Sequence, residues 1–136
     1  MLRALFRYLW VLPATMVGLA LGLLAIGLGA SARRVDGVLE VGGGRLHRAI
    51  MKLPRGCRFE AITLGHVIVG RSHAVLAEVR THEQVHVRQY ERWGLLFFPL
   101  YLGSSALQWL RGKDPYYDNC FEREAFSVAS EPRPRA

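Results

Sequence analysis

The residues best suited to chemistry are His82, Glu83 and His86, in the run His82-Glu83-Gln84-Val85-His86. Two histidines four positions apart stand one turn apart on the same side of an α-helix, so both imidazoles can reach one ion. Zinc takes imidazole nitrogen in a tetrahedral set and, in catalytic sites, keeps one position for water. Glu83 faces the same cleft and can accept a proton from that water, whose pKa the metal lowers toward ~7. The expected chemistry is attack of water on an amide carbonyl, with Zn2+ as cofactor, His82 and His86 as ligands and Glu83 as general base. The bland alternative is a solvated helix in which His82, His86, Glu78, Glu83 and Glu91 form ordinary surface pairs.

A third ligand must come from elsewhere, and Asn119-Cys-Phe-Glu122-Arg-Glu124-Ala-Phe126 offers two carboxylates. Here the chain resembles the gluzincin-type metallopeptidases, whose third ligand is a glutamate on a later helix in a pattern close to ExxA or ExxAD. The resemblance implies Glu122, followed by Ala125 at that spacing. Phe126 stands where many members carry aspartate, which removes the usual partner that orients a ligating histidine. Glu122 has a second possible role, because Asn119 is a good helix N-cap and Asn-x-x-Glu can close a capping box. Were Glu122 only to cap, Glu124 would be the ligand. The stretches THEQVHVRQYERWG and DPYYDNCFEREAF also resemble a group of small bacterial membrane proteins with HExxH, a following RQYE and an N-x-x-E-x-E-A segment, over roughly residues 35–126.

Other polar residues are weaker candidates. Tyr116 and Tyr117 can bring a phenol near the cleft to stabilise an oxyanion, although tyrosines at a helix entrance usually pack. Lone His47, His66 and His73 read as structural, with His66 in the strand-like ITLGHVIV able to line the cleft. Cys57 and Cys120 lack CxxC spacing, so neither a disulfide framework nor a cysteine zinc cluster follows. Cys57 invites comparison with peptide deformylases, but it lies 25 residues before His82 and no glycine-rich substrate loop accompanies it.

The elements that must position these groups follow from periodicity. Val75, Val79, His82, His86, Gln89 and Trp93 fall along one face of a helix expected from about Ser72 to near Gly94. Leu95 to Leu110 holds sixteen uncharged residues, too few to span a bilayer, and Pro99 suits a helix start. If that segment crossed a membrane, His86 and Glu122 would lie on opposite sides, so it must pack back on the motif helix or lie in the interface. A short helix from Asn119 to Ser130 and a disordered tail, 131–136, complete the chain. Upstream, residues 35–76 alternate β-branched runs with Gly and Pro punctuation, predicting a β-hairpin or three-stranded sheet that buries Val38, Val41, Ile62, Leu64, Val67 and Val69.

Before these lies a run without charge from Leu9 to Ala32, 24 residues, longer than the ~20 needed to cross hydrocarbon as a helix. It reads as a transmembrane anchor over residues 1–34. The rival is a cleaved signal peptide with Ala30-Ser31-Ala32 as its cleavage site, disfavoured by the length of the run and by Arg33 and Arg34 directly after it. Gly18 and Gly22 make a GxxxG with Ala14 one turn earlier, but glycine is common in membrane helices and no dimer follows.

The chain has 136 residues and a net charge of +7, with its basic residues scattered and no nucleic-acid motif beside them. Membrane lipid is the expected partner, nucleic acid is not, and a peptide or protein substrate has no visible identity. The excess of Arg and Lys after the apolar run puts the body on the cytoplasmic side of a single-pass inner-membrane protein. The whole reads as an α+β chain: an anchor, one metallopeptidase-like domain over 35–130, and a tail. The alternative is a non-catalytic membrane-anchored metal-binding or scaffold protein, and oligomeric state is not legible.

Overall fold

The computed structural model describes residues 1–129; the disordered tail expected over 131–136 lies outside them. The fold is α+β, with an N-terminal apolar helix, a small mixed sheet, and then helices. Helix α1 is Leu2–Gly27, 26 residues, long and apolar enough to cross a membrane. It differs from the expected span of 9–32 at both ends. Arg3 and Arg7 join the helix, since arginine is a good helix former. At the other end Gly29, at φ 89°, turns the chain, and Ser31–Val35 becomes strand β1. Residues 31–34 are therefore sheet rather than anchor.

Strand β2, Val38–Gly42, returns antiparallel to β1 through Asp36 and Gly37, both at positive φ (50° and 77°), the two-residue Asp-Gly turn that matches strand twist. After a short helix α2, Leu46–Met51, come β3, Ala61–Leu64, and β4, Val67–Gly70. β4 pairs parallel with β2 and antiparallel with β3, giving a four-stranded sheet in the order β1-β2-β4-β3. The expected hairpin or three-stranded sheet is thus one strand short. β1, Ser-Ala-Arg-Arg-Val, is an almost wholly exposed edge strand and shows no apolar alternation.

Side chains alternate across the sheet and sort the core into two layers. Val41, Val67 and Val69 face α1 and α2, where they meet Ala25, Leu46 and Ile50. Val38 and Ile68 face the other way, against Leu76 and Val87 of helix α3, His73–Trp93. Glu40 also faces α3 and is fully buried, with Arg80 donating to both its carboxylate oxygens at 2.8 and 3.0 Å.

The small residues of α1 serve the sheet. A Cβ on Gly18 would stand 2.6 Å from the Leu64 carbonyl oxygen and 2.8 Å from the Val67 Cβ, and one on Gly22 would be 3.4 Å from Val41. The GxxxG spacing thus lets helix backbone approach sheet backbone. Ser72 caps α3 by accepting from the Val75 N–H, and Gly94 at φ 56° ends it, so the helix keeps the expected bounds. A single 3-10 turn leads into α4, Phe97–Leu110, with Pro99 in its first turn, and the described residues end with α5, Cys120–Ala129.

Candidate metal centre

Helix α3 passes between the sheet and α5, and its buried middle carries His82, Glu83, His86 and Gln89. Phe97 at the start of α4 packs with Val11, Tyr90 and Phe121, which folds α4 back toward α3 and α5. This is the return that a shared ion requires of residues 95–110. Asn119 fixes the junction: its amide donates to the Tyr101 carbonyl and Ser105 hydroxyl, and its side-chain oxygen accepts from the Phe121 N–H.

The result brings His82, His86 and Glu122 together, with one donor atom from each lying within 4.8 Å of the others. One carboxylate oxygen of Glu122 accepts from the Nε2 atoms of both His82 (3.0 Å) and His86 (3.2 Å). Tyr101 donates its hydroxyl to the other oxygen at 2.7 Å. Donor atoms this close on two imidazoles and a carboxylate are a set that could hold one metal ion. Glu122 does not close a capping box, because its carboxylate is committed to the histidines. Glu124 is exposed and, among the described residues, receives a 3.3 Å contact from the Gln89 amide.

The ring orientation of His86 is set by a relay. Gln89 donates its amide N–H to the Phe121 carbonyl at 3.0 Å, which turns its oxygen toward His86 Nδ1 at 2.8 Å. Nδ1–H therefore donates to Gln89, and Nε2 is the nitrogen presented to the ion. His86 thus takes its ring orientation from a residue on its own helix. Phe126 itself lays its ring edge against His82, centroids 4.6 Å apart.

Glu83 stands on the sheet side of the histidines, with Thr63 of β3 donating to one of its oxygens at 2.6 Å. Burial pushes the Glu83 carboxyl above its ordinary range, the histidine charges opposing this. Burial disfavours charge on Glu122 as well, but hydrogen bonds from both histidines outweigh it and hold the carboxyl at about 2. Burial opposes protonation of His86 too, yet the adjoining Glu122 carboxylate lifts it to about 9. The metal-free centre therefore holds protons at the positions a cation would take.

Two depressions meet at Glu83. One, of about 200 Å³, is walled by Ile62, Leu64, Phe97, Phe98 and Tyr101 and reaches His86 and Glu122. The other is walled by Arg58, Glu60, Tyr117 and Phe126 and reaches His82. Ala61 and Tyr116 line both, so β3, an edge strand, borders a continuous cleft.

The chain matches no protein-family model, no curated protein and no solved structure. Its chemistry must be read from its own side chains.

The remaining candidates sort by position. Tyr116 and Tyr117 line the cleft, and Tyr117 packs on Phe126 with centroids 5.7 Å apart. His66 is buried outside the cleft, bonded to Glu91 at 3.0 Å and stacked near Tyr8. His73 bonds Ser31 at 2.8 Å, while His47 and Cys57 are exposed and away from the metal group. Sequence reading missed Thr63, Gln89 and Tyr101. Gln89 carried a signal, its i+3 spacing from His86 on one helix face; Thr63 and Tyr101 carried none.

Proposed function

We propose that this chain is a membrane-associated zinc metallopeptidase of the gluzincin kind, hydrolysing peptide bonds. The observation that carries the proposal is the convergence of His82, His86 and Glu122 around one point, with a buried carboxylate, Glu83, beside them in an open cleft. Zinc bound there would polarise a substrate carbonyl and acidify a water.

The protein's own groups supply the rest. Thr63 occupies one oxygen of Glu83 and leaves the other to accept the water's proton, and burial makes that carboxylate a stronger base than an exposed one. The three ligands leave a fourth position for water, as hydrolytic sites require and closed structural sites do not. The unpaired edge of β3 beside Glu83 suits an extended peptide, whose backbone can pair with it while side chains enter the depressions on either hand. Glu122, oriented by the Tyr101 hydroxyl, completes the ligand set.

The test uses the full chain in detergent or lipid, with a library of quenched fluorescent peptides. Glu83→Gln keeps zinc and loses hydrolysis by at least ~100-fold, the low end for a missing general base. A folded, zinc-loaded wild type with no activity on any member of the library, or a Glu83→Gln protein with unchanged activity, would return the chain to a metal-binding scaffold.

A further inference from the structure

Helix α1 is docked along nearly its whole length. The Tyr8 hydroxyl donates to the Gly37 carbonyl, Val11 packs on Tyr90 and Phe97, the Thr15 hydroxyl accepts from the His66 N–H, and Ala25 sits in the core. From residue 8 to residue 25 is about 26 Å of helix, most of the ~30 Å hydrocarbon thickness. An α1 that crossed the bilayer would carry the sheet and α3 with it. Asp36 and Arg88, which border a polar depression of about 410 Å³ beside Tyr8, would then lie at membrane depth. Charges are not tolerated there unless paired or in a water-filled cavity.

The rest of α1 is apolar and exposed, as at Leu5, Leu9, Leu12, Met16 and Leu23. Helix α4 is similar: of its fourteen residues only Phe97 is buried, while Phe98, Leu102, Trp109 and Leu110 stand in the open. The two faces meet where the Trp10 indole packs over Gly94. Every charge on residues 1–32 and 95–113 is positive: Arg3, Arg7, Arg111 and Lys113, all exposed. An apolar face bordered only by cations complements anionic lipid.

We propose that the chain lies in one leaflet of an anionic bilayer, with the outer faces of α1 and α4 in the interface and the sheet and α3 on the water side. This replaces the single crossing that the apolar run alone suggests. Phe98 and Tyr101 of α4 wall the candidate cleft, so the cleft stands at the lipid boundary whatever chemistry it performs.

The experiment compares the N-terminal end of α1 with the body that follows it, in cell-derived membrane vesicles. One full-length protein keeps Cys57 alone (Cys120→Ser); a second carries Arg3→Cys with Cys57→Ser and Cys120→Ser. A membrane-impermeant maleimide should label both from the same face, at rates within roughly three-fold of each other for two exposed interfacial sites. Labelling from opposite faces would overturn the proposal in favour of a crossing. A second readout covers α4: protein with Trp109 as its only tryptophan (Trp10→Phe, Trp93→Phe) is placed in phosphatidylcholine–phosphatidylglycerol vesicles containing brominated lipid. Quenching of Trp109 is expected. Unquenched Trp109, whether open to aqueous quencher or covered by a second copy of the chain, would refute a lipid-facing α4.

Discussion

Replacing Gln89 by leucine, which keeps the volume of the side chain, tests the relay that aims His86. Gln89 is buried and joins the Phe121 carbonyl to His86 Nδ1 through bonds of 3.0 and 2.8 Å. Leucine leaves the buried imidazole N–H without a partner and removes the second bond to the Phe121 carbonyl, so the metal-free protein should lose about 1–3 kcal/mol. The metal should be lost further. Without an acceptor at Nδ1 the imidazole is free to rotate and to carry its proton on Nε2, and outer partners of this kind are worth about 10–100-fold in affinity. Competition against a chromophoric zinc chelator reads the affinity, while the thermal midpoint of the metal-free form reads stability separately. Gln89→Glu keeps an acceptor for His86 and should hold zinc at least as well as wild type at neutral pH. A folded Gln89→Leu protein binding zinc within about two-fold of wild type would refute the relay, since that lies far below the expected loss.

Tyr101→Phe removes a hydroxyl that donates to Glu122 at 2.7 Å; hydrogen bonds to charged groups are worth about 1.5–3 kcal/mol, so calorimetric titration should show zinc binding weakened by about ten-fold or more. Gly18→Ala places a methyl 2.6 Å from the Leu64 carbonyl oxygen and forces α1 off the sheet, lowering stability by about 1–3 kcal/mol in a denaturation series, as overpacking does. In the metal-free protein His86 is raised to about 9, so its stabilising charge is fully present below its unfolded value of ~6.5 and is lost as pH rises through 9. Glu122 is lowered to about 2, so its contribution is present above ~4.5 and is lost as pH falls toward 2. Thermal midpoints without metal should therefore peak between about pH 4.5 and 6.5. Added zinc should stabilise most on the alkaline side, where it no longer competes with protons for the histidines.

The motif helix was readable because two signals agreed: the spacing of apolar and ligand residues, and the Gly94 stop. The choice of Glu122 over Glu124 came from resemblance; in the fold Glu122 and Ala125 share the buried face of α5, and Glu124 does not. The N-terminal segment was read correctly as a long apolar helix but misplaced by several residues. Absence of charge does not distinguish the end of a helix from Ala30, Ser31 and Ala32 of a turn and edge strand. The four-stranded order was illegible because β1 has no buried alternation, and β2 pairs with β4 across an intervening helix and strand. The short helix α2 was not anticipated, because it is only six residues long and sits between glycines and basic residues. Thr63 and Tyr101 reach the site through tertiary packing of β3 and α4, which local sequence does not encode.

The central claim is that His82, His86 and Glu122 form one metal site. The zinc content of the full-length protein, purified without added metal and checked for folding by circular dichroism, tests it most directly. About one zinc per chain is expected, falling close to zero in a folded Glu122→Ala protein, as a three-ligand site requires. A folded wild type without metal that takes up none on titration, or a Glu122→Ala protein that keeps its zinc, would contradict the account.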